Sequence, residues 1–401
     1  MNKQVQVVVA GHICLDIIPA LEGISGGLGT ILVPGSLLNV GPATTATGGA
    51  VSNTGLALHR LGISTRLMGK IGDDRFGSAT LEILRERDGA LAEGMIVTPG
   101  EHTSYTIVIS PPGVDRVFLH CPGANDTFGA DDVALEHLRG VRLFHFGYPP
   151  IMRRMFIDGG EELEKLLRVV KKAGLTVSLD MAKPDPASEA GRVDWPALLS
   201  KVLPCVDVFG PSLDEILFML DRTRFDLMSQ QADDGDITPL VDGRLLGEIS
   251  QRLIDLGAAV VVLKLGSAGL YARTTSDSSR LAAAGAAAPN DTDKWAGREL
   301  LAPCFKVDVA GTTGSGDCTI AGFLAGLLHG LDLEGAMTMA VAVGACNVER
   351  PDATSGVRPW EQIRKRIASD WQRHKVPLNL TGWRADTNEG VFIGPNDKVA
   401  K

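Results

Sequence analysis

Short apolar runs that alternate with helix-period segments limit this chain to one broad architecture. Val5 to Ala10 is apolar but for Gln6, rich in β-branched residues and ended by Gly11, as expected of a strand buried on both faces of a parallel sheet. Val141 to Phe146, Thr176 to Leu179, Val206 to Phe209 and Ala259 to Leu265 repeat the pattern, and helical patterns at Glu161 to Lys172, Leu213 to Leu220 and Gly247 to Leu256 stand between them. Strands and helices in alternation imply βαβ units with right-handed crossovers, so the expected fold class is α/β.

At 401 residues the chain suits one large domain with an appendage as well as two equal domains. Its 47 glycines and 5% aromatic content fit many tight strand-to-helix turns. A net charge of −9 without a long Lys or Arg run leaves no surface to neutralise phosphates, which excludes nucleic acid as a main partner. The six cysteines form no CxxC pair and the histidines add no metal-ligand spacing, so reduced, mostly buried thiols are expected. The apolar start is too brief for a signal-peptide core or a membrane span. The expected location is the cytoplasm, with no membrane association.

Two stretches break the rhythm. Thr103 to Ser110 and Asp115 to His120 are β-rich and joined by Pro111, Pro112 and Gly113, which reads as a hairpin. With the glycine-rich Gly23 to Gly41 it forms an expected small β lid over the carboxyl edge of the sheet, where open α/β sheets bind ligands. Its exposed edges offer a contact between two copies, a homodimer through the lid. Gln230 to Gly243 and Ser276 to Gly297 read as surface loops, and residues after about Leu378 as a tail.

The densest chemistry lies in CFKVDVAGTTGSGDCTIAG, where a strand runs into a glycine-rich turn and then a helix. Gly311, Gly314 and Gly316 allow a sharp bend, and the amides of a helix start face an anion with favourable charge. The spacing imitates GxxxxGK(S/T), yet Asp317 and Cys318 hold the last two positions, which disfavours a P-loop. A carboxylate beside a phosphate cradle suits a general base for a substrate hydroxyl; plain helix capping is the alternative. In GGAVSNTGLALHRLG, Gly48 and Gly49 permit close backbone approach and Asn53 offers an amide to a substrate hydroxyl. Asp16, in GHICLD after the first strand, is placed either to grip vicinal hydroxyls or to shape a turn.

Together, in this order, these segments resemble the ribokinase family, also called the PfkB family of carbohydrate kinases. GGAVSNTGLALHRLG is similar to its N-terminal signature, GKIGDDRFG to the segment after it, and GTTGSGDCTIAG to its C-terminal signature. Weaker similarity runs through VVLKLGSAGL to VERPDATSGV, covering most of residues 5 to 360. The resemblance implies a three-layer α/β/α sandwich with a mainly parallel central sheet and a small β lid, spanning residues 1–375 with the lid at about 14–45 and 98–125 and a tail at 376–401. It also implies transfer of the ATP γ-phosphate to an alcohol, with Mg²⁺ carried on the nucleotide. On this basis Asp317 is the base and Gly314, Ser315 and Gly316 the anion hole. Asp16, Gly48, Gly49 and Asn53 contact substrate, Lys264, Gly266, Gly269 and Thr313 line the nucleotide site, and Glu215 lies near the metal.

Three positions depart from the family pattern. Ser212 replaces the asparagine of NxxE, Ser315 an alanine, and Gly311 the aspartate that opens the signature, with Asp308 three residues earlier. That aspartate helps place a monovalent cation, so dependence on such an ion is left open. The expected substrate is a small sugar or polyol. A nucleoside kinase of the same fold would need a base slot, for which Tyr105, Phe118 and Phe128 are candidates, and a silent sugar-binding regulator would keep the fold without turnover. Arg116 on the hairpin either recognises an anionic group on the acceptor or faces water. A nicotinamide-dependent dehydrogenase is disfavoured, since GxGxxG is missing after the first strand.

Overall fold

The apolar runs fold as strands and pair with one another in parallel. The computed structural model describes residues 4–21, 28–111, 116–232, 235–387 and 389–399. In chain order the strands are β1 (Val7–Gly11), β2 (Cys14–Pro19), β3 (Ala43–Gly48), β4 (Thr65–Met68), β5 (Lys70–Gly72), β6 (Ile96–Thr98), β7 (Tyr105–Ile109) and β8 (Val117–Cys121). They continue with β9 (Leu143–Gly147), β10 (Thr176–Asp180), β11 (Val208–Phe209), β12 (Val260–Lys264), β13 (Leu270–Thr274), β14 (Glu299–Ala302), β15 (Arg384–Asp386) and β16 (Val391–Ile393). Ten form the main sheet in the order β15-β16-β14-β13-β12-β11-β10-β9-β1-β4. Neighbours from β4 to β12 run parallel and those from β12 to β15 antiparallel.

Side-chain alternation along β1 explains the three layers. Val7 and Val9 enter one core and Val8 and Ala10 the other, because successive strand residues point to opposite faces. The first core is closed by the helices Gly49–Arg60, Ser315–Leu328 and Leu333–Val348, and the second by Glu161–Lys172, Trp195–Val202 and Gly243–Asp255. Glu161–Lys172 shows why such helices form. Leu163, Leu166, Leu167 and Val170 bury one stripe, glutamates occupy the first turn and lysines the last, matching the apolar period and the helix dipole.

The lid is a separate four-stranded sheet, β3-β2-β7-β8. β7 and β8 form the expected antiparallel hairpin, although the residues at its turn lie outside the described ones. The glycine-rich stretch does not supply a lid strand among the described residues: it gives a short helix, Leu28–Ile31, and the strands come from its flanks, β2 and β3. Part of that stretch, residues 22–27, lies outside the described residues.

Three further expectations are corrected. The segment read as a tail adds β16 beside β14 and β15 at the sheet edge; strands of three residues carry too little periodicity to stand out in sequence. Ser276 to Gly297 is not a simple surface loop, since Leu281, Ala287 and Trp295 are buried and Trp295 packs edge-on against Phe323. Burial of a large apolar side chain contributes about 1.5–3 kcal/mol, enough to pin an insertion. Part of Gln230 to Gly243 also reaches the site, as described below. Among the described residues no helix is long and apolar enough to cross a membrane.

Candidate active site

Asp317 sits in the first turn of the helix Ser315–Leu328, at the carboxyl edge of the sheet, and is 3% exposed. Gly314 precedes the helix with φ +67°, and a Cβ there would stand 2.6 Å from the Ala353 carbonyl, so only glycine makes this entry. The Ser315 amide turns back onto the Thr312 carbonyl at 3.2 Å, and the Cys318 amide makes the first intrahelical bond, to Gly314. By helix geometry the Gly316 and Asp317 amides then have no carbonyl one turn behind them. Of the expected anion hole, Gly316 therefore offers its amide, whereas that of Ser315 is already engaged.

The Asp317 carboxylate is held from two directions. Asn53 Nδ2 donates to Oδ2 at 3.0 Å and Thr54 Oγ1 to Oδ1 at 3.4 Å, both from the helix Gly49–Arg60. The Tyr148 hydroxyl donates to Oδ1 at 2.7 Å. Asn53 was expected in the site; Thr54 and Tyr148 were not. For Tyr148 the sequence does hold a signal, a tyrosine followed by two prolines directly after a fully buried strand.

Asp16 lies on β2 opposite Ala46 of β3, and its side chain reaches Gly48 at the end of that strand, where a Cβ would fall 2.3 Å from Asp16 Oδ2. Burial raises the Asp16 pKa, partly offset by the Cys14 and Thr106 hydrogen bonds. Gly49, with φ +85°, lets the helix start pass His12, whose ring burial lowers its pKa to about 3. Asp16 thus touches Gly48, and Gly48 and Gly49 lead into the helix that carries Asn53 to Asp317, but none of the four lines the two cavities that meet at Lys264.

Lys264 ends β12 and pairs with buried Asp180 at 2.7 and 2.9 Å. Burial works against the ammonium, but Asp180 and Glu215 hold its pKa above the ordinary value. Asp180 is pushed up to about 6 by burial against the pull of Lys264. Gly266 and Gly269 shape the following turn at φ +54° and +117°. Two cavities meet here. One, of about 520 Å³, is walled by Tyr148, Glu215, Lys264, Gly316 and Asp317, and the other, of about 270 Å³, by Gly266, Gly269, Val307, Val341 and Ala345. Lys264, Gly266, Thr312, Ser315 and Gly316 line both.

Residues Gly235 to Thr238, Val241 and Leu378 also wall the larger cavity, so the insertion and the C-terminal segment are parts of the site's surroundings rather than remote loops. Thr313 is outside both linings; its carbonyl accepts from Asn347 Nδ2 at 2.9 Å, and its hydroxyl accepts from Arg116 of the lid, which also reaches Thr312. Of the candidates for a nucleoside-base slot, Phe128 is buried against Phe146, Tyr105 packs on Phe76, and Phe118 is more than half exposed.

Glu215 faces the larger cavity, its Oε2 accepting from the Ser212 amide at 2.7 Å, and burial pushes its pKa up to about 8, with Lys264 opposing. Among the described residues no three His, Cys, Asp or Glu side chains gather as a metal cage. Glu215, with Asp214 and Asp236 on the same cavity wall, offers the carboxylate oxygens that suit Mg²⁺, which keeps waters and phosphate ligands and takes few from protein.

A doubly covered sheet and a β lid give the chain a ribokinase-like fold, as solved structures show. Arabidopsis thaliana ribokinase complexed with ribose and ATP superposes with a TM-score of 0.65 at 18% identity, over 90% of this chain and 98% of that one. Burkholderia thailandensis nucleoside kinase in complex with inosine gives 0.61 at 19%, over 92% and 100%. The model of the pfkB family carbohydrate kinases matches residues 4–360, and the chain belongs to that family. Its activity is therefore phosphoryl transfer to an alcohol group. Among relatives, an uncharacterized sugar kinase of Archaeoglobus fulgidus is 28% identical over 75% of this chain and 98% of its own length. Probable fructokinase-4 of Arabidopsis thaliana is 28% identical over 43% of this chain and 49% of its own length.

Proposed function

We propose that this kinase transfers the γ-phosphate of ATP to a hydroxyl of a small sugar or polyol, with Asp317 as general base. The observation that carries the reading is a buried carboxylate, aimed into a cavity from the helix turn whose Gly316 and Asp317 amides have no carbonyl partner. The acceptor hydroxyl gives its proton to Asp317, its oxygen bonds to the γ-phosphorus, and the bond to the β–γ bridging oxygen breaks to release ADP. The Gly316 and Asp317 amides, with Lys264, face charge on the moving group. Asp16 and Asn53 take acceptor hydroxyls, and the apolar second cavity takes the nucleotide base. Mg²⁺, when bound with the nucleotide near Glu215, supplies charge neutralisation on the phosphates. The neighbour solved with ribose and ATP, and a relative named fructokinase, support sugar and ATP as the pair.

The test is an ADP-release assay over sugars, polyols and nucleosides. Turnover with a sugar or polyol above that with adenosine, inosine or cytidine is expected. Preference for nucleosides selects the related kinase activity, and sugar binding by calorimetry without ATP use selects a silent regulator.

The lid edge supports a homodimer. β8 has no partner on its outer side among the described residues, and Phe118 and Leu119 are 55% and 51% exposed. Light scattering at micromolar concentration should give twice the chain mass, reduced by Leu119→Asp; a single-chain mass for the unaltered protein ends this part of the proposal.

A further inference from the structure

Tyr148 follows β9 in the left-handed region, with φ 70° and ψ 43°, one of two non-glycine residues with positive φ among the described ones. A bulky side chain keeps such a backbone only where its surroundings over-determine it. Here they do: its amide donates to the Asp180 carbonyl at 3.2 Å, the Ile151 amide donates to its carbonyl at 3.1 Å, and Pro149 and Pro150 follow. The result is a hydroxyl delivered to Asp317 Oδ1 at 2.7 Å.

Counting acceptor positions then separates the two carboxylate oxygens. Each carboxylate oxygen has two lone pairs. Among the described residues Oδ1 accepts from Tyr148 and Thr54, whereas Oδ2 accepts from Asn53 alone. We propose that Tyr148 is a positioning residue that, with Thr54, saturates Oδ1 and fixes the carboxylate's rotation, so that the acceptor's proton passes to Oδ2. Burial, with Asp317 and Asp180 alongside, raises the phenol's own pKa well above the ordinary value, which keeps it a donor throughout the working range. The inference rests on Asp317 being the base.

Tyr148→Phe keeps the ring and removes the donor, and Asp317→Asn removes the base. Both are assayed by ADP release with the preferred acceptor, across pH. For Tyr148→Phe, kcat is expected to fall about 10-fold, since a hydrogen bond to a charged group is lost. KM for ATP and for the acceptor should stay within about twofold, as the ring keeps its place in the cavity wall and the hydroxyl removed is spent on Asp317. The acid limb of the kcat profile should move to higher pH, because removing a donor to the charged form favours protonation. The other titratable groups around Tyr148 and Asp317, namely Lys264, Asp180, Glu215 and His12, and Asp214 and Asp236 on the cavity wall, are unchanged in the variant.

A Tyr148→Phe enzyme with unaltered kcat and an unmoved acid limb overturns the proposal, as does a kcat loss matched by rises in both KM values. If Asp317→Asn itself keeps full rate, it is the base assignment that fails. An inactive Asp317→Asn beside an unaltered Tyr148→Phe rejects only the role of Tyr148. Should Tyr148→Phe not fold, Thr54→Val removes the second donor to Oδ1. A smaller kcat loss in the same direction with both KM values held supports the assignment, and an unaltered kcat overturns it.

Discussion

Asp317→Asn should lower kcat by about 10² to 10⁴, the usual contribution of a positioned general base. The amide is nearly the same size, so the helix start and the Asn53 and Tyr148 neighbours stay in place, but the side chain no longer takes a proton. KM for ATP should change little, since main-chain amides and not this carboxylate would hold the phosphates. Steady-state ADP release with a sugar acceptor, set against the unaltered enzyme, reads both quantities. Wild-type turnover in the variant would falsify the base assignment and leave Asp317 as a helix-capping residue.

The second large effect concerns stability. Lys264→Met leaves Asp180, with no side-chain exposure, without its counter-charge. Breaking a buried pair by removing one partner costs about 3–5 kcal/mol, so denaturant unfolding at neutral pH should lose roughly 3 kcal/mol. The pH dependence follows from the direction of the Asp180 shift. A carboxyl whose folded pKa lies above its unfolded value binds its proton more readily when folded, so its contribution is present at low pH and is lost as pH rises towards about 6 and beyond. Removing Lys264 raises that pKa further. The deficit should therefore be largest above neutrality and shrink on acidification, as a protonated Asp180 needs no cation. Adding Asp180→Asn to Lys264→Met should restore part of the loss. A deficit that is independent of pH and unrelieved in the double variant would assign the loss to packing of the lysine stem.

Much of this architecture is legible in the sequence because local signals agree with it. The helices at Glu161–Lys172 and Leu213–Leu220 begin and end where the apolar period does. The glycine turn before Asp317 is readable because only glycine makes the φ +67° entry at Gly314. What is not legible depends on long-range pairing. Tyr148 and Asp317 are 169 positions apart, and Asp180 and Lys264 are 84 apart, so no local pattern couples them. Gly235 to Val241 has loop composition, and only the folded chain shows that it walls the larger cavity. Val391–Ile393 favours extension but is too short to stand out, and it becomes β16 because β14 offers an edge, with β15 added outside it.

That late edge has a bearing on how the protein is made. Leu301 on β14 pairs with Phe392, so roughly 90 residues must leave the ribosome between the two halves of this ladder. At 5–20 residues per second, β14 waits about 5 to 20 seconds with one row of amides and carbonyls open to other nascent chains. β15 and β16 act as a seal fitted about 90 residues after β14 emerges, and a chaperone that shields β14 would serve this protein in that interval.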